Sequence, residues 1–224
     1  MTDIEKETSA EPQVALAAAK KPSNAERQRA VLPVLEQLFE TCPQLFGAEF
    51  LPLKLGIFQD ILTAYPDKFK KDTLRAALGV HTRSTRYLHS VAAGKWRHDL
   101  TGTAVEPVAP EHVFASILEM YRRRQARQKA DLRPQVVQQI LVAFTASGLS
   151  PQDYEVLVHS ADEQTNALLK EALDIETQAR ARQVATARAF EASGKTPEEF
   201  ADMYGMAVTE VVKALERSRA LQAG

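Results

Sequence analysis

Leu53-Lys54-Leu55-Gly56-Ile57-Phe58-Gln59-Asp60 opens a run that continues through Leu74-Arg75-Ala76-Ala77-Leu78 and His81-Thr82-Arg83-Ser84-Thr85-Arg86-Tyr87-Leu88. It closes with Gly94-Lys95-Trp96-Arg97-His98-Asp99-Leu100. Cations recur here among apolar positions at helical spacing. Two aromatic residues, Tyr87 and Trp96, stand beside arginines. Such a pattern builds a small helical core and leaves a basic face able to stack on bases. That face suits RNA or single strands better than base readout in a duplex groove.

Helices are predicted on both sides of the run. Before it, Val31, Leu35, Leu38 and Phe39 share one helical face, with Pro33 expected in the first turns and Pro43 ending the helix. Pro52 reads as a helix start, because Leu53, Ile57, Ile61 and Tyr65 follow at helical spacing; Pro66 stops that helix. A short helix from Lys71 to Leu78 is expected to end at Gly79. Thr82 is the expected cap of the next, which runs to about Val91. Lys95 to Val108 reads as a β-hairpin around Thr101-Gly102. Pro110 then opens a long helix with Val113, Ile117 and Tyr121 on one face, running into Arg122–Lys129. Beyond Leu132 the pattern is helical throughout. Helices are expected over Val136–Ala146, after Ser150-Pro151, over Asp162–Ala192, and on either side of Gly205.

The net charge of −1 conceals a division. Residues 1–19 carry three excess acids. Residues 20–129 hold 18 Lys and Arg against 11 Asp and Glu, and residues 130–224 hold 9 against 14. A basic block between acidic flanks is the asymmetry expected when one domain meets a polyanion. The division also suggests the organisation: a disordered tail over 1–23, a basic domain over 24–130 and a helical region over 131–224. The single cysteine, Cys42, excludes an internal disulfide, fits a reducing cytoplasm, and reads as a small core residue. No segment approaches the roughly 20 apolar residues that cross a bilayer, so no membrane contact is expected. His81, His89, His98 and His112 match no zinc spacing, so no metal or other cofactor is expected. Phosphate-binding glycine loops, zinc-protease and nucleophile-elbow motifs are missing, which argues against an enzyme.

The run resembles the FinO/ProQ family of bacterial RNA chaperones. Four ordered blocks carry the resemblance: Pro52–Asp60, Leu74-Arg75-x-Ala77-Leu78, Thr82-x-Ser84-x-Arg86-Tyr87-Leu88 and Arg97-x-Asp99-Leu100-x-Gly102. With flanking helices the likeness covers about residues 25–128. It implies a compact, mainly α domain with a small β-hairpin, here followed by an all-α C-terminal region. It also implies binding of structured RNA, chiefly terminator-type hairpins with single-stranded 3′ tails, in regulation by small RNAs. At positions that contribute to RNA binding in the family stand Lys54, Lys71, Arg75, Arg86, Tyr87 and Arg97. Cations neutralise phosphates, Arg97 offers a planar fork, and Tyr87 offers a ring or a hydroxyl. Where some members carry basic residues this chain has Gly79 and Ala92, which shifts weight to Arg83, Lys95 and His89. Trp96 either stacks on RNA or packs on the domain.

Phe200-Ala201-x-x-Tyr204-Gly205-Met206 and Val211-x-x-Ala214-Leu215 have helix-turn-helix spacing. The second helix offers Thr209, Glu210 and Lys213 in a region of net negative charge. That favours a protein partner or self-association through the C-terminal helices over DNA reading. A DNA-binding regulator is the alternative to an RNA chaperone, and an adaptor docking an acidic protein is the third reading.

Overall fold

The computed structural model describes residues 24–222; the expected tail over 1–23 lies outside them. Helix α1 (Asn24–Thr41) carries Pro33 well inside it, not in its first turns, so the carbonyl four residues earlier loses its N–H partner. Val31 and Leu38 are buried and Leu35 is half-buried. Phe39 departs from the expected face and is 51% exposed. Pro43 ends α1 and occupies the first turn of a short helix, α2 (Pro43–Phe46).

Pro52 does not start a helix. Pro52 and Leu53 run extended beside strand β1 (Arg97–His98). Leu53 bridges His98 in parallel, His98 N–H donates to the Pro52 carbonyl at 2.7 Å, and Lys54 N–H donates to the His98 carbonyl at 2.9 Å. Helix α3 (Ile57–Ala64) begins only after Gly56, whose φ of 82° lies in the left-handed region that favours glycine. Helix α4 (Lys71–Thr82) passes through Gly79 instead of ending there. Helix α5 (Thr85–Ala92) is capped by Ser84, whose hydroxyl accepts the Tyr87 N–H. Thr82, the expected cap, is the last residue of α4 and donates its hydroxyl to the Leu78 carbonyl.

Strands β1 and β2 (Ala104–Glu106) form the expected antiparallel hairpin. Its turn is held by the Asp99 carboxylate, which accepts from the Thr101 hydroxyl at 2.7 Å and from the Thr101 and Thr103 N–H groups at 2.9 and 3.0 Å. The Thr101 hydroxyl, then the Thr103 N–H, hold that carboxyl below its usual range.

Helix α6 (Pro110–Gln125) starts at Pro110 as expected. It is followed by α7 (Arg133–Ser147), α8 (Pro151–Val158), α9 (Glu163–Ser193), α10 (Pro197–Tyr204) and α11 (Val208–Gln222). The core built on Leu38, Leu45, Ile61 and Leu74 does not stop at residue 130. Through Phe114 and Ile117 of α6 it continues into Ile140 and Phe144 of α7, Tyr154 of α8 and Leu169 of α9. A second, smaller cluster joins Phe200, Ala201 and Val211 to Phe190, Met206 and Leu215. Helix α11 is tied to α9 by Arg217, which donates to the Glu176 carboxylate at 2.8 Å; Arg180, also in α9, donates to the same carboxylate at 2.8 Å. Helix α9, 31 residues long, therefore belongs to both clusters. Among the described residues no helix is long and apolar enough to cross a membrane.

Candidate nucleic-acid interface

Two residues of the candidate set form the frame of the site. Ser84 sets the first turn of α5, which turns the Tyr87 ring inward against His81, with centroids 5.3 Å apart. Tyr87 is 7% exposed, and its hydroxyl accepts the Leu53 N–H at 3.1 Å. Burial pushes that hydroxyl's pKa up. Arg97 donates from Nη1 to the Leu53 carbonyl at 2.9 Å. Both backbone groups of Leu53 are thus satisfied by side chains from elsewhere. Arg97 Nη2 lies 3.0 Å from His112 Nδ1, and Arg97 Nε lies 4.0 Å from Glu106 Oε1. A guanidinium only donates, so Nδ1 of His112 is the acceptor in this contact. These contacts correct the expectation for both residues. The ring of Tyr87 is not open for stacking, and the Arg97 fork is engaged within the fold. Together they clamp the Pro52–Lys54 segment between α5 and the hairpin.

The exposed cations stand around this frame. Lys71, Arg75, Gly79 and Arg83 follow one another at four-residue intervals, so they lie along one face of α4 and its cap. Arg75 lies over the Phe58 ring at 5.3 Å. Arg83 folds back over Gly79: a β-carbon there would come within 3.1 Å of Arg83 Nη2. The missing side chain at Gly79 makes room for this guanidinium. Lys54, in the extended segment before α3, pairs with Asp60 of α3 at 2.9 Å, and that hydrogen bond raises its pKa.

Arg86 and Lys95 border a separate open cleft with Phe50, His89 and Ser90. Arg86 donates to the Ala48 carbonyl at 2.7 Å and lies 4.6 Å over the Phe50 ring; Lys95 pairs with Glu49 at 3.0 Å. Exposed pairs of this kind hold about 0–1 kcal/mol, so a phosphate can displace the carboxylate at little cost. Sequence reasoning missed Phe50 as the platform under Arg86, because the two are far apart in the chain. From the Arg122–Lys129 run, Arg123 comes beside these residues: it donates to the Arg83 carbonyl at 2.9 Å and the Thr85 hydroxyl at 3.3 Å, while Glu119 holds its Nε at 2.7 Å.

A family model described as ProQ/FINO family matches residues 28–133. These residues form a ProQ/FINO family domain. An RNA chaperone ProQ from Vibrio vulnificus (strain CMCP6) is 40% identical over 106 residues, 45% of this chain and 51% of that protein. One from Shewanella frigidimarina (strain NCIMB 400) is 38% identical over 108 residues, 46% of this chain and 52% of that protein. The chain therefore spans about half the length of these curated relatives. A FinO-like RNA chaperone from Neisseria meningitidis MC58, known from its crystal structure, aligns at 25% identity and a TM-score of 0.38, over 47% of this chain and 88% of that one. All eight candidate residues lie inside the ProQ/FINO domain, as do Phe50 and Arg123. Helices α8 to α11 and all of α7 but its first residue lie beyond it.

Proposed function

We propose that this chain is an RNA chaperone whose ProQ/FINO domain binds structured RNA, hairpins with single-stranded 3′ tails, in small-RNA-based regulation in the cytoplasm. One observation carries the reading: the stretch matched to the ProQ/FINO family contains the α4 stripe, the Arg86–Lys95 cleft and the clamp that positions them. No covalent step is needed. Lys71, Arg75 and Arg83 neutralise phosphates of a stem, releasing counterions, while Arg86 and Lys95 hold the adjoining strand. Tyr87 and Arg97 act as positioning residues, since the surface moves if the Leu53 clamp opens. Holding a hairpin and its tail shields the 3′ end and presents the RNA to a complementary strand.

A gel-shift titration of the full chain tests this. A hairpin with a 3′ tail is expected to bind at least about tenfold more tightly than the same hairpin without it. Affinity should fall steeply with salt, and Lys71→Ala or Arg75→Ala should each lower the log–log salt slope by about one. Equal affinity for random duplex DNA overturns the reading.

A further inference from the structure

We propose that the apolar cleft between Trp96 and α7 is a pocket for an unpaired nucleobase of the bound RNA; the proposal rests on the RNA-binding reading above. The cleft encloses about 510 Å³ between the end of α5, the hairpin flank, α6 and α7. Val108, Val113 and Ile117 are the buried residues of its lining. Trp96 and Val142, 52% and 59% exposed, border it. Ala92, Ala93 and Ala143 keep part of its wall short, which suits a flat ring lying against the Trp96 indole.

Three features favour a nucleobase as the occupant. Every base has a π-face, so an exposed indole beside an apolar wall binds bases with little sequence preference. Gln138 and Gln139 also line the cleft. Both are exposed, and neither amide has a hydrogen-bond partner among the described residues, so each offers a donor and an acceptor to a base edge. Finally, none of the lining residues is acidic, and His89 lines both this cleft and the basic one that holds Arg86 and Lys95. Lys95 directly precedes Trp96 in the chain. A nucleotide whose phosphate lies at Lys95 can thus turn its base across the His89 ridge toward the indole. The α7 wall comes from residues 138–147, outside the stretch matched to the ProQ/FINO family, so this chain supplies the pocket from its own C-terminal region.

Trp96 is the only tryptophan, so its emission reports on this cleft alone. The full chain is titrated with a 5′-labelled hairpin carrying a short single-stranded 3′ tail, following RNA anisotropy and Trp96 emission together. The titration is repeated with RNAs made abasic at one tail position each. Both signals are expected to change at the same midpoint. One abasic position should abolish the quenching and weaken binding about tenfold, the usual worth of a stacked base. Trp96→Ala should narrow the gap between tailed and tail-less RNA by a similar factor. If anisotropy shows binding while Trp96 emission stays constant, or every abasic RNA quenches equally, the pocket is overturned and the RNA-binding reading stands. An emission change that follows protein concentration without RNA assigns the cleft to a second copy and likewise overturns the pocket. No anisotropy change with any RNA overturns both.

Discussion

His81 is 4% exposed, and Phe46, Phe50 and Tyr87 surround its ring with centroids 4.7, 4.4 and 5.3 Å away. Its Nε2 has no hydrogen-bond partner among the described residues. Burial lowers its pKa to about 4, because the imidazolium would sit among rings with no counter-ion. Above pH 6.5 it is neutral whether folded or unfolded and adds no pH dependence. As pH falls below 6.5 the unfolded chain takes up the proton and the folded chain does not. Stability is therefore lost between pH 6.5 and about 4, by roughly 3 kcal/mol at the low end. His81→Leu should flatten this part of the stability–pH profile in urea unfolding, whatever it does to stability at pH 7. A profile as steep as the original would show that another group dominates acid sensitivity. The same ring packs against Phe50, the platform under Arg86, so acidification should loosen the basic cleft along with the core.

Elements were legible where local chemistry punctuates the chain. Pro43 ends α1, Pro110 and Ser150-Pro151 mark helix starts, and Gly148, Gly194 and Gly205 sit just past helix ends in the left-handed region. Misreadings came where a contact from far along the chain overrides the local signal. Leu53 fits a helical period with Ile57 and Ile61, yet pairing with His98 draws it into an extended segment. Gly79 is a local exception: it looks like a stop, yet α4 runs on to Thr82 and Arg83, one turn further, folds back over it. The candidate cations could be picked out one by one, but the burial of Tyr87 and Arg97 depends on Leu53, which neither adjoins in sequence. The join of α9 and α11 was hidden for the same reason. Burial alone would raise the pKa of the Glu176 carboxyl, but Arg180 and Arg217 hold it below the usual range. Glu176→Gln should therefore destabilise the α9–α11 pairing at pH 7. The loss is about 1 kcal/mol, because both arginines are more than a third exposed and solvent screens the pair. The difference should shrink as pH falls below 4.5, the carboxyl's ordinary value, and disappear once the folded-state carboxylate is protonated. Amide exchange in α11 at pH 7 and pH 4 reads both effects; an equal difference at the two pH values would rule out the ion cluster as the cause.

At the scale of the molecule, the charge division near residue 130 suggests a boundary that the packing does not follow. Segment charge reflects what the surface meets, whereas a folding boundary falls where few contacts cross. Phe114 of α6 meets Tyr154 of α8 edge-on with centroids 6.4 Å apart, and Tyr154 in turn meets Phe144 of α7 at 5.2 Å. Arg122 also reaches across to Asp162 and Thr165, at 3.0 Å each. Cutting at residue 130 would bare the α6 face carrying Phe114, and a contiguous exposed apolar face promotes association. A fragment of residues 24–130 should therefore melt well below the full chain, by at least about 10 °C, or aggregate. A fragment of residues 24–178 retains α7, α8 and the part of α9 that carries Leu168, Leu169 and Leu173, all members of the main core. It should melt close to the full chain and bind a tailed hairpin within about threefold of it, since every candidate residue and the Trp96 cleft are preserved. Equal melting temperatures for the 24–130 fragment and the full chain would mean that α7 to α9 lie on a domain already complete without them. In that case the charge division, not the shared core, would mark where the molecule divides.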